Sequence, residues 1–361
     1  MSISIENISL QVGDESYLKN ISLEFESGSK NIFLGRTLAG KTSLLRILAG
    51  LDRPSKGKIL VDGKDVTGVS VRKRNISMVY QQFINYPSFT VYDNIASPLK
   101  VAGMEKSQID KKVREAAGML HLENMLDRMP SELSGGQQQR CAIARALVKE
   151  VKLLLLDEPL VNLDYKLREE LQIDLQEIFK QRDAIVVYTS TEPAEALKLG
   201  GNIVVLDEGR VLQTGITSEV FHKPTSIKVA EVFSDPPINL ISCQVQGSLF
   251  HLGQDVTLPL AGHIKSLASG NYIVGVRSNH LYLTPQNKSD LAIEAVIDLA
   301  EINGSETFLH VNYAGTKLVI QEVGVYSQKI GSKIRFYIDP ANFFVFSQAG
   351  ELLLSPEKAS V

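Results

Sequence analysis

Residues 3–12 and 20–26 alternate apolar and polar side chains, the two-residue period of strands with one buried face. Lys30 to Leu34 reads as a short strand running directly into Gly35, and the spacing of Leu44, Leu45, Ile47 and Leu48 predicts a helix immediately after it. A second helical period starts at Ile109 and continues through Val113, Ala116 or Ala117, and Leu120. The four leucines at 153–156 have no polar interruption, as expected of a strand buried on both faces in a parallel sheet. Leu167, Leu171, Leu175, Ile178 and Phe179 mark another amphipathic helix, and residues 184–188 another buried strand. Strands and helices in alternation predict an α/β first domain.

The pattern changes near Phe233. Ser234-Asp235-Pro236-Pro237 is a turn-rich break, and the short β-type segments beyond it (272–276, 292–299, 306–312 and 333–338) are punctuated by Gly, Asn and Pro. They predict a small all-β barrel or sandwich. The expected division is therefore a first domain of residues 1–235 and a second of 236–361, in keeping with a chain of 361 residues that is too long for one ordinary core. No internal repeat or low-complexity segment is visible.

Composition narrows the classes without choosing among them. Hydrophobic residues make up 44% and charged residues 22%, a soluble globular profile. A formal net charge of −3 gives no electrostatic reason to expect nucleic acid as a partner. The two cysteines, Cys141 and Cys243, fall in different expected domains, which argues against a disulfide scaffold and fits a reducing cytoplasm. The first ten residues alternate like a strand and lack the basic and apolar regions of a signal peptide. The densest apolar run is far short of the ~20 residues that span a bilayer, so any membrane role is expected to come through a partner.

Candidate chemistry begins at Gly35-Arg36-Thr37-Leu38-Ala39-Gly40-Lys41-Thr42, which matches G-x-x-x-x-G-K-[ST] between an expected strand and an expected helix. Backbone N–H groups of such a loop, together with the helix start that continues into Ser43, can wrap phosphate oxygens. Lys41 can reach the terminal phosphates, and the Thr42 hydroxyl can bind Mg²⁺. Asp157 and Glu158 end the leucine strand. Alone, that pair is more often a solvated strand end; beside a phosphate loop, Asp157 can hold Mg²⁺ through water, and Glu158 can orient or deprotonate an attacking water.

Between these elements lies Leu133-Ser134-Gly135-Gly136-Gln137-Gln138-Gln139-Arg140. Together with Gln81 in Met78-Val79-Tyr80-Gln81, Asp157-Glu158-Pro159 and Asn162-Leu163-Asp164, the set resembles the ABC ATPases in order and spacing over residues 1 to about 235. The resemblance implies an α/β P-loop NTPase with a helical subdomain at about 87–133, using ATP and Mg²⁺. It also implies a head-to-tail pair of ATPase subunits, with each ATP held between one phosphate loop and the partner's Ser134, Gly135, Gly136 and Asp164. Ser134, Gly135 and Gly136 would open a helix whose free N–H groups face the γ-phosphate. Gln81 would ligate Mg²⁺ on the segment that meets the transmembrane permease subunits, and a solute-binding protein would act indirectly. The tail motifs Pro236-Pro237-Ile238-Asn239, Val274-Gly275-Val276-Arg277 with His280-Leu281, Gly304-Ser305-Glu306-Thr307 and Asp339-Pro340-Ala341 resemble the OB-like regulatory domain of carbohydrate-importer ATPases of the maltose type.

Three positions depart from that family's pattern. Its switch histidine, aligned through Glu195-Ala196, is here Thr191, and none of the six histidines lies between Glu158 and Glu195. A threonine hydroxyl can bond a phosphate oxygen but lacks the reach and charge of an imidazole. Where the family stacks an aromatic residue on adenine this chain has Val12, and Tyr17 is the candidate replacement. Leu38 occupies a position usually held by glycine. A left-handed backbone there would strain a leucine, so a slightly adjusted loop is expected.

The resemblance implies an importer ATPase peripheral to the cytoplasmic face of the membrane, driving uptake of a sugar, polyol or related solute. The phosphate loop and the Ser-Thr-Glu-Pro-Ala-Glu-Ala segment are similar to a glycerol or polyol branch. The alternative is a catalytically weakened regulatory subunit of a heterodimer, whose signature completes a partner's site; it turns on Thr191. An ABC ATPase of DNA repair or translation would usually carry two ATPase domains or long coiled-coil insertions, and neither is present.

Overall fold

The computed structural model describes residues 1–356. They form a unit of residues 1–217 and a second that begins at Ser218.

In the first unit, strands β1 (Ile3–Val12) and β2 (Glu15–Phe25) lead to β3 (Lys30–Leu34), helix α1 (Lys41–Ala49), and strands β4 (Lys56–Val61), β5 (Lys64–Asp65) and β6 (Ile76–Val79). Helices α2 (Val91–Val101), α3 (Lys106–Gly118) and α4 (Gly135–Leu147) follow, then β7 (Leu153–Asp157), α5 (Tyr165–Lys180), β8 (Ile185–Ser190), α6 (Pro193–Leu199), β9 (Asn202–Asp207) and β10 (Arg210–Ile216). One sheet has the order β2-β1-β4-β5 and is antiparallel. The other has the order β10-β9-β3-β8-β7-β6, in which all pairings are parallel except β10 on β9.

Helix α1 lies between the two sheets. Its Leu44, Leu45, Ile47 and Leu48 share a core with Ile3, Ile5 and Ile59 of one sheet and Phe33, Leu155 and Val187 of the other. The alternate residues Leu154, Leu156 and Val186 are also buried, which explains the uninterrupted apolar runs. Helix ends follow local chemistry: Gly50, at φ 74, closes α1 by donating to Arg46 and Ile47 carbonyls, while Thr90, Ser134 and Asp164 cap α2, α4 and α5. The alternation at 20–26 had located only the later part of β2, because register shifts between Ile5 and Gln11 interrupt its pairing with β1.

The second unit contains α7, which starts at the boundary (Thr217–His222), and α8 (Ile227–Val232), then β11 (Asn239–Gln246), β12 (Leu249–Leu252), β13 (Val256–Pro259), β14 (Gly270–Val276), β15 (Leu281–Tyr282), β16 (Leu291–Asn303), β17 (Glu306–Tyr313), β18 (Thr316–Val323), β19 (Lys333–Ile338), β20 (Phe344–Phe346) and β21 (Leu352–Leu354). Two antiparallel sheets, β13-β12-β11-β14-β20-β21 and β15-β19-β16-β17-β18, enclose one core that includes Phe250, Val274, Leu309, Phe336 and Phe343. This all-β architecture is the barrel-like domain expected of the tail.

The Ser234–Pro237 break falls inside the second unit, where buried Arg277 ties the two short helices to the sheets. Its guanidinium donates to the Phe221 carbonyl at 2.7 Å and to the Phe233 carbonyl and Ser234 Oγ at 3.2 Å, and it stacks 3.6 Å over the Phe221 ring. Other tail motifs also have structural work. Asn239 exchanges two hydrogen bonds with the Val319 backbone, Thr307 Oγ1 donates to the Gly324 carbonyl at 2.7 Å, and Asp339 caps the turn at Ala341. Cys141 and Cys243 are free and buried, and burial pushes their thiols up to about 11 and about 12. Among the described residues no helix is long and apolar enough to cross a membrane.

Candidate active site at the carboxyl ends of the parallel strands

Parallel strands β3, β7 and β8 are in register, so Leu34 lies beside Ser190 and Asp157 beside Thr189. The loops leaving these carboxyl ends are where open α/β sheets hold their ligands. Gly35 begins the phosphate loop, and residues 37–43 line a cleft of about 690 Å³ together with Glu15, Ser16, Tyr17, Lys19, Gln81, Glu158 and Glu208. Gly40 is required by geometry: its φ is 100, and an added Cβ would stand 2.9 Å from Leu18 and 3.1 Å from the Tyr17 carbonyl. No side chain caps α1 at Gly40, so its first N–H groups are available for an anion.

Leu38 corrects the expectation of an adjusted loop. Its φ is 69, so the loop takes the left-handed turn with a leucine in it, and the side chain is 92% exposed. Lys41 is buried and donates to the Gly35 carbonyl at 2.8 Å and the Arg36 carbonyl at 3.1 Å, while its Nζ also stands 3.1 Å from Glu158 Oε1.

Asp157 Oδ1 accepts from Thr42 Oγ1 at 3.0 Å and from Thr189 Oγ1 at 2.9 Å. Burial pushes its carboxyl above the usual range, and the two hydroxyl hydrogen bonds oppose that rise. Glu158 has φ 43 and receives the Gln81 amide on Oε2 at 3.3 Å. Asn162 in turn donates to the Gln81 carbonyl at 3.4 Å. The structure thus brings Thr42, Lys41, Gln81, Asp157 and Glu158 together from three separate segments.

Tyr17 reaches the cleft, its hydroxyl held by Glu15 Oε2 at 2.9 Å, whereas Val12 does not line it. Thr191 shares a small neighbouring cleft with Glu158, Arg168, Ser190, Glu192 and Glu195, and its side chain makes no hydrogen bond among the described residues. Ser134, Gly135, Gly136 and Asp164 do not line this chain's own phosphate cleft. Ser134 Oγ accepts the Gln137 backbone N–H at 3.4 Å, and Gln137 Oε1 accepts the Ser134 N–H at 3.0 Å; Asp164 Oδ1 accepts the Leu167 N–H at 2.9 Å.

Thr189 was missed in the sequence. Its signal was a polar residue at the end of a buried strand, but nothing in spacing tells which side chain it meets. Glu15, Lys19 and Glu208 were missed for the same reason, since their place in the cleft depends on how loops fold over it. Among the described residues no group of three or more His, Cys, Asp or Glu is placed to hold a metal ion by itself. A Mg²⁺ ion needs none: one carboxylate, a hydroxyl and an amide oxygen fit a hard cation that keeps several waters and binds substrate phosphates.

The family model described as "ABC transporter" matches residues 18–161. An sn-glycerol-3-phosphate import ATP-binding protein of Escherichia coli O1:K1 / APEC is 37% identical over 311 residues, covering 86% of this chain and 87% of that protein. This chain belongs to the ABC transporter ATPase family. The ABC ATPase is also 34% identical over 358 residues to a maltose/maltodextrin import ATP-binding protein of Photorhabdus laumondii, covering 97% of this chain and 96% of the relative. An ATP-binding cassette solved as a dimer in a post-hydrolysis state, bound to ADP and Pi, superimposes on the ABC ATPase with TM-score 0.54 and 29% identity; it covers 60% of this chain and 98% of its own. A component of a Clostridium perfringens ABC transporter complex gives TM-score 0.56 at 29% identity, with coverage of 61% and 90%.

Proposed function

We propose that this ABC ATPase binds and hydrolyses ATP to drive import of a small solute of the glycerol-phosphate, polyol or sugar class. The observation that carries the reading is the convergence of Thr42 on Asp157 at 3.0 Å and of Lys41 on Glu158 at 3.1 Å, at the mouth of a nucleotide-sized cleft. Residues 35–43 would cradle the phosphates, Tyr17 would stack on adenine, and Thr42, Asp157 and Gln81 would hold Mg²⁺. The ion would neutralise phosphate charge. Glu158 would take a proton from the water that attacks the γ-phosphorus as ADP leaves, and Thr191 would stand at the switch position.

A second ATPase subunit would supply Ser134, Gly135, Gly136 and Asp164 across a dimer. The helical subdomain at about 87–133 would meet permease subunits at the cytoplasmic face of a membrane, with a solute-binding protein acting through them. The second domain would be regulatory. The relatives are import ATP-binding proteins, which favours the hydrolysing subunit over a purely regulatory partner.

The test has two parts. The purified chain should hydrolyse ATP in a Mg²⁺-dependent way that Lys41→Ala abolishes. Cells lacking it should lose uptake of one labelled solute among sn-glycerol 3-phosphate, glycerol and maltose. Undiminished turnover in the lysine variant would sink the assignment of the site, and unchanged uptake of all three would sink the solute class.

A further inference from the structure

Thr189 is fully buried at the carboxyl end of β8, beside Asp157 in the parallel register. Its hydroxyl makes two bonds in opposite senses: it donates to Asp157 Oδ1 at 2.9 Å and accepts the Glu158 peptide N–H at 2.9 Å. Glu158 is where the chain leaves the sheet, and it does so at φ 43, a region that disfavours a residue with a Cβ. Such a conformation persists only where its surroundings hold it. On one side the carboxylate meets Lys41 and Gln81; on the other the peptide is held by Thr189. A β-branched side chain has few rotamers, so packing of the Thr189 methyl fixes the direction of the hydroxyl.

We infer that Thr189 is a positioning residue for Glu158, its hydroxyl fixing the peptide turn that aims the general base while bracing the neighbouring Asp157. The inference rests on the proposed role of Glu158. It also moves part of the duty expected of the switch position from Thr191, whose side chain bonds nothing among the described residues, to a side chain inside the sheet. Valine has the shape of threonine but neither donates nor accepts. At 189 it would leave the partly buried Glu158 N–H without this partner and Asp157 Oδ1 with Thr42 alone.

The experiment compares wild type, Thr189→Val and Thr189→Ser in steady-state Mg²⁺-ATP hydrolysis, fluorescent-ATP binding and thermal melting. Thr189→Val is expected to lower kcat by about tenfold or more, the scale of a small misplacement of a reacting group, with KM and nucleotide affinity unchanged. Thr189→Ser, which keeps the hydroxyl, should restore most of kcat. A wild-type kcat in Thr189→Val overturns the inference. So does a loss of kcat, affinity and melting temperature together that serine fails to restore, since that pattern is plain structural damage. Absence of Mg²⁺-dependent turnover in the wild type would instead remove the proposed function, and this inference with it.

Discussion

Lys41 Nζ and Glu158 Oε1 stand 3.1 Å apart, joining the phosphate loop to the end of β7 through a largely buried ion pair. The lysine also holds two carbonyls of its own loop, so loss of the carboxylate charge leaves it partnered. Glu158→Gln is expected to lower turnover by roughly 10²- to 10⁴-fold, the usual contribution of a general base, while ATP binding is kept or strengthened. Phosphate release and fluorescent-ATP titration on the same sample decide it; near-normal turnover would mean that Glu158 is not the base.

Thr191 shares its cleft with Glu158 but contributes no hydrogen bond to it. Thr191→His is expected to raise kcat by on the order of tenfold, about 1.4 kcal/mol in the barrier, if a missing imidazole limits the reaction. An unchanged or lower rate would show that the site has been rebuilt around hydroxyls.

Leu38 carries a left-handed backbone with its side chain almost wholly in solvent, so glycine there loses no packing. Leu38→Gly should stabilise the first unit by about 1 kcal/mol, read as a higher denaturant midpoint. A lower midpoint would mean that the leucine makes compensating contacts in the folded chain.

Tyr17 lines the cleft, and its hydroxyl is tied to Glu15. Tyr17→Ala should weaken ATP binding by roughly tenfold, the scale of one base–aromatic stack, and Tyr17→Phe should not. Equal loss in both variants would assign the effect to the Glu15 hydrogen bond instead of the ring.

Arg277 answers two backbone carbonyls and the Ser234 hydroxyl from a buried position, and burial lowers its pKa to about 10. Arg277→Met keeps the bulk but strands those acceptors, at about 1–3 kcal/mol for each buried carbonyl left unpaired. Calorimetry should show the second unit melting earlier while ATP turnover by the first persists. A single unshifted transition would contradict the bracing role.

Much of this site could be read in the chain because its chemistry is bound to short sequence. The phosphate loop needs Gly40 where a Cβ would strike Leu18, and the leucines of β7 announce a strand covered on both faces. What escaped reading depends on register across the sheet. Thr189 meets Asp157 only because β7 and β8 align residue for residue. Arg277 reaches back to Phe221 and Phe233 across the turn at 234–237, a link between distant residues that no change in composition reveals. The strain at Leu38 was legible as a question, since a leucine replaces the expected glycine, but its answer lay in a dihedral angle.

The start of α4 carries a redundancy with its own consequence. Ser134 and Gln137 bind each other's backbone N–H groups, and the bond to the serine hydroxyl is the longer, at 3.4 Å against 3.0 Å. Ser134 Oγ accepts in that cap through a lone pair, so its hydroxyl proton can serve an outside acceptor while both cap bonds keep the helix fastened. The chain can lend that group to a neighbour and take it back without unravelling the helix that presents it.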